Sequence, residues 1–171
     1  RILPPEPGEY APYYQKYVDQ VSDDIMGRLE SQHASTHALL ERLSEQQAMH
    51  RYAPGKWSVK EVVGHLIDAE RVFAYRAVRF ARADPAELPG FDENAWVPEG
   101  QFDGRSIADL ADEFAAVRAS TLALFHGLPE STHARRGVAN GNPMSVRALA
   151  MIIAGHEAHH VALLRQRYGL G

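Results

Sequence analysis

The chain has 171 residues, 45% hydrophobic and 23% charged, which excludes a disordered polymer and suits one domain with a single core. A formal charge of -4 and a pI near 6.1 give no broad electrostatic footing for nucleic acid or an anionic membrane. The absence of cysteine excludes disulfides, thiolate metal ligands and a cysteine nucleophile, and no apolar run is long enough to span a bilayer. No secretory pattern is read at the start of the chain, and the lack of cysteine fits an expected cytoplasmic protein.

The opening "RILPPEPGEYAP" holds four prolines and a glycine and reads as an extended surface arm, taken here as residues 1–16 of a single domain spanning 1–171. A first helix is predicted over about 21–47, where Ile25, Leu29, Thr36, Leu40 and Leu43 recur at three- and four-residue spacing. "RYAPGKW" ends it. Ser58 and Glu61 form a capping box for a second helix over about 59–81, with Val59, Val62, Val63, Leu66, Phe73 and Phe80 on one side. Residues 83–106 are rich in proline, glycine and acid and carry no sustained period, which suggests a lid or crossover. Ser106 caps a third helix to about 125, and Ser145 caps a fourth over about 146–168 with Gly169 as its stop. The sum is an all-α protein, a four-helix bundle with a long crossover between helices two and three.

Nine histidines are the unusual feature. His50, His126 and His133 lie in or beside connections, and His33 and His37 fall on a flank of the first helix, so all five read as solvated. In "GHEAHH" of the fourth helix, His160 lies inside the apolar stripe, His156 at its edge, and His159 is rotated outward. Two histidines at i, i+4 can aim ring nitrogens at one ion; each could equally be a core residue bonded to a carbonyl. His65 sits on a flank of the second helix, after a glycine, as His156 does. The offsets from the caps Ser58 and Ser145 differ by four residues, about one turn, so the two histidines have similar azimuths. Gly64 and Gly155 each cost a helix roughly 0.5–1 kcal/mol relative to alanine, and close helix approach beside an ion is a natural offset.

Glu157 falls near the middle of the same stripe, where a lone carboxylate is costly. It could orient a ligand histidine, act as a base in catalysis, or pair with Arg76 or Arg118. Arg76 shares the row of His65 and could meet an anionic substrate. The neighbouring Arg71, Arg79 and Arg82 read as a solvated face.

Two segments, "KWSVKEVVGHLIDAE" and "MSVRALAMIIAGHEAHHVALLRQRY", together with "LPGFDEN" and "RSIADLADEFAAVRASTLALFHGLP", resemble the DinB-like, or YfiT-like, superfamily of metal-dependent four-helix bundles. In that family a histidine of the second helix and an H-x-x-x-H pair of the last bind a divalent ion. The resemblance therefore implies His65, His156 and His160 as ligands of one such ion, zinc or nickel first and iron or manganese next. It also implies an unusual helix order. Members include transferases that join a low-molecular-weight thiol to an electrophile; others carry only the general description hydrolase. The expectation is a metal-dependent thiol transferase acting on a small molecule, with two alternatives: a metal-dependent hydrolase, or a non-catalytic bundle that binds a ligand or partner. The arm and the resemblance are compatible with a homodimer.

Overall fold

A computed structural model describes residues 1–171. Its helices are α1 (Gln15–Val18), α2 (Ile25–Glu41), α3 (Glu45–Ala48), α4 (Val59–Ala81), α5 (Glu93–Gly100), α6 (Ile107–Gly127) and α7 (Val146–Arg167). The four long ones, α2, α4, α6 and α7, form the bundle. No helix is long and apolar enough to cross a membrane.

The starts are set by short local signals. Ser58 accepts from the Glu61 amide at 3.1 Å while Glu61 accepts from the Ser58 amide at 3.0 Å, so two orphan donors are satisfied reciprocally. Ser106 and Ser145 cap α6 and α7 with the one-way bond alone, accepting from the amides of Asp109 and Ala148. The first predicted helix is shorter than its periodicity suggests. It ends near Arg42 because Ser44 and Gln47 build a second capping box, which starts α3.

Side-chain contacts fix the directions. Glu30 meets His126 and His37 meets Asp112, so α2 and α6 run antiparallel. Gln32 meets Ala154 and Thr36 meets Glu157, so α2 and α7 run parallel. Val63 and Leu66 share a cluster with Ile107 and Leu110, while Ala74 and Val78 line one groove with Ser120 and Leu124, which makes α4 and α6 parallel. Val59 and Val62 share a cluster with Leu164 and Tyr168, which makes α4 and α7 antiparallel. Two parallel neighbours need a crossover, and residues 82–106 supply it. That segment is not featureless. It holds α5 and a 3-10 turn, Phe102–Gly104, and Leu88 pairs with the main chain of Val138 and Asn140.

A hairpin, β1 (Arg136–Ala139) and β2 (Asn142–Ser145), precedes α7. Its turn residues Asn140 and Gly141 both have positive φ, 51° and 75°, the backbone that a two-residue hairpin turn prefers.

The N-terminal arm departs most from expectation. It is docked, not merely laid on the surface: Ile2, Glu9, Ala11, Tyr14 and Tyr17 are buried. Glu9 binds Arg147 through both oxygens, and its carbonyl accepts from the Ser145 amide at 3.0 Å. Helix α1 then crosses α7 so closely that a Cβ on Gly155 would lie 2.0 Å from the Tyr17 carbonyl oxygen. On α4, a Cβ on Gly64 would lie 2.3 Å from the Phe102 ring. Both glycines therefore admit an arm or crossover segment, which corrects the expectation of close approach between bundle helices.

Candidate metal centre

His65 reaches from α4, and His156 and His160 from α7, to one point where the antiparallel helices meet. One ligand atom from each lies within 4.8 Å of the other two. The Nε2 atoms of His65 and His156 are 3.1 Å apart, and the ring centroids of the three are 4.6–5.0 Å apart. Aromatic rings hold them in place: Trp57 against His65, and Tyr17 and Phe73 edge-on to His156.

Burial lowers the pKa of all three. His65 falls to about 4, and His160 to about 3 with the charges of His65 and His159 adding to the effect; His156, the deepest, falls well below its ordinary value. Above pH 5 all three rings are uncharged, so each keeps a lone pair that a metal ion can use. The donor set fits a divalent ion. Nitrogens bound at about 2.0–2.1 Å around a tetrahedral ion stand about 3.3–3.4 Å apart. The His65–His156 separation is close to that, and a hydrogen bond within that pair leaves His160 without a share in it.

The group opens into a cavity of about 460 Å³ whose wall also carries Tyr14, Arg76, Phe91 and Glu93. Arg76 is 2% exposed, yet no carboxylate pairs with it. Its Nη2 donates to the Pro89 carbonyl at 3.2 Å and its Nε meets no protein acceptor. Burial raises the Tyr14 phenol, and the Arg76 charge beside it acts in the opposite direction.

Glu157 goes elsewhere. One oxygen accepts from Arg118 Nη2 at 2.7 Å and the other from Thr36 at 2.6 Å, among α2, α6 and α7. Of the roles considered for it, the ion pair with Arg118 is the one its contacts support. The catalytic assignment is corrected accordingly: both oxygens are occupied and neither belongs to the histidine group. The same guanidinium also holds Glu70, which the sequence reading passed over.

His159 needs correction too. It lines the cavity, packed on Tyr17, because α1 covers that flank of α7 and turns an outward position into a wall. His133 is buried rather than solvated, and His33 is half-buried against Phe114. Trp57 and Tyr17 were missed as site residues. Their signals were a tryptophan directly before a helix cap and the spacing of Tyr13, Tyr14 and Tyr17 on one short turn.

A family model described as the DinB superfamily matches residues 28–164, most of the chain and all three histidines. The chain belongs to the DinB superfamily. Among solved structures it is similar to YfiT from Bacillus subtilis, described as a probable metal-dependent hydrolase with an unusual four-helix bundle topology. The TM-score is 0.65 at 18% identity, over 98% of this chain and 94% of that one. No curated protein matches the chain. This DinB bundle thus shares the overall fold of YfiT.

Proposed function

We propose that the chain is a metal-dependent enzyme for small anionic molecules, in which His65, His156 and His160 hold one divalent ion. The observation that carries this reading is the convergence of three uncharged imidazoles on a cavity walled by the buried, unpaired Arg76. Three imidazoles suit zinc, nickel and iron alike, and manganese less well. When bound, the ion supplies a Lewis acid that lowers the pKa of a thiol or a water molecule. Arg76 seats the substrate's negative group through the donor it has to spare. Tyr17, Phe73 and Trp57 narrow water's access to the histidines. His159, uncharged near neutral pH because burial lowers its pKa, offers a ring nitrogen on the same wall to receive a proton.

With no cysteine in the chain, a sulfur nucleophile must come from a small thiol, and transfer of such a thiol to an electrophile is the reaction proposed. Hydrolysis is the second reading, favoured by the description of YfiT. Turnover of electrophilic substrates with and without added thiol separates them. The expected result is activity that needs both thiol and metal and vanishes in His160→Ala. Thiol transfer persisting in a metal-free variant contradicts the proposal.

A further inference from the structure

The histidine group is approached from two sides. Besides the cavity bearing Arg76, a second cavity of about 210 Å³ opens towards the C-terminal end of α7. The two share Trp57 and His160, so the indole is a partition and His160 borders both chambers. The second chamber has aromatic walls, Tyr52 and Tyr168, and two cationic side chains, Lys56 and Arg167. No acidic residue lines it, and neither cation has a carboxylate partner; Arg167 donates to the Tyr52 hydroxyl at 3.2 Å. Tyr168 donates to the Trp57 carbonyl at 2.7 Å, which ties the partition to the end of α7.

We infer that this second chamber is a binding subsite for a small anionic second substrate, carrying a carboxylate or phosphate held by Lys56 and Arg167, whose reactive end reaches the centre beside His160. The volume sets the size. Pockets for drug-sized ligands run to about 300–1,000 Å³, so a chamber below that range takes a compact molecule. Two cations with no acid among them select a negative group, and the separate Arg76 chamber leaves room for the other reactant. The inference rests on the proposed transfer reaction, because hydrolysis needs only one organic substrate. Such a transfer balances simply. The nucleophile gives up a proton as its new bond to the electrophilic carbon forms, and the displaced group departs with the bonding electron pair and takes up a proton.

Trp57 supplies a readout that does not depend on turnover. The chain has two tryptophans, and Trp96 stacks on Phe91 outside both chambers, so Trp96→Phe leaves Trp57 as the sole reporter. Mercaptoacetate and inorganic phosphate are titrated against this protein, metal-free and zinc-loaded, and Trp57 fluorescence is followed. The expected result is a saturable change with at least one of the two, weakened tenfold or more by Lys56→Ala with Arg167→Ala and altered less than twofold by Arg76→Met. The tighter of the two probes assigns carboxylate or phosphate. No saturable response, a response indifferent to the double substitution, or one lost in Arg76→Met overturns the subsite. Because the metal-free titration reads the cations alone, failure of the metal centre is seen separately, as zinc that does not bind.

Discussion

Replacing Arg118 with methionine tests the buried charge network that joins the ligand-bearing helices. Arg118, Glu70 and Glu157 are 1%, 4% and 1% exposed, and their formal charges sum to -1. Arg118 Nε and Nη2 hold Glu70 at 2.6–3.2 Å, Nη2 also holds Glu157 at 2.7 Å, and Nη1 donates to the Leu29 carbonyl at 2.9 Å. Thr121 and Thr36 complete the two carboxylates. Glu70 lies on α4 five residues after His65, and Glu157 follows His156 on α7, so the guanidinium holds both ligand helices against α6. Arg118→Met leaves two buried carboxylates with one threonine each. Breaking a buried ion pair in this way costs about 3–5 kcal/mol. For a chain of this length that corresponds to a fall in Tm of roughly 6–20 °C. The freed carboxylates relieve the cost by binding protons, so the loss shrinks as pH is lowered from 7.5 to 5.5. Urea denaturation followed by circular dichroism at both pH values measures it. Arg71→Met serves as a control, because the Arg71–Glu113 pair is partly solvated and worth less than about 1 kcal/mol. A loss in Arg118→Met no larger than in Arg71→Met, or one independent of pH, refutes the reasoning.

Three further predictions follow from the same geometry. Gly155→Ala gains about 0.5–1 kcal/mol of helix propensity but drives a methyl into the Tyr17 main chain, and such overpacking costs about 1–3 kcal/mol. The net result is destabilisation with faster proteolysis around residues 9–18; a more stable protein contradicts the close approach. In metal-free protein, the histidine pKa values lowered by burial mean that the unfolded chain binds protons from about pH 6.5 downward while the folded chain does not. Stability is therefore fully present above pH 6.5 and is lost as pH falls towards 4. The slope is up to about 1.4 kcal/mol per pH unit for each of the buried His65 and His156, read from denaturant midpoints, and is shallower in His65→Ala. Arg76→Met raises KM for anionic substrates at least tenfold and leaves that for neutral analogues within twofold; equal effects on both count against an anion seat.

The bundle was legible because its signals are local. Ser58, Ser106 and Ser145 each precede a helical period, and each caps the helix it announces. His65, His156 and His160 were selected by helix face as well as by resemblance, since azimuth is fixed once a cap and a period are known. What sequence could not supply was the environment created by segments without a period. The arm's prolines suggest an exposed strand of chain, but burial of Ile2, Glu9 and Tyr17 depends on where α7 presents Arg147 and Gly155. That docking makes His159 a cavity wall. Glu157 was correctly seen as anomalous, yet its partner lies on α6, and choosing between Arg76 and Arg118 requires the packing of three helices. The hairpin carried a readable signal, Asn140-Gly141, that two short flanking strands were too brief to support.

The central claim is that three histidines hold one divalent ion, and metal content of the purified protein tests it most directly. Mass spectrometry is applied to the wild type and to His160→Ala, each after exposure to zinc, nickel and manganese and removal of excess. The account predicts about one ion per chain in the wild type and a loss of most of it in the variant. A wild type that retains no ion, or a variant that retains as much as the wild type, contradicts it.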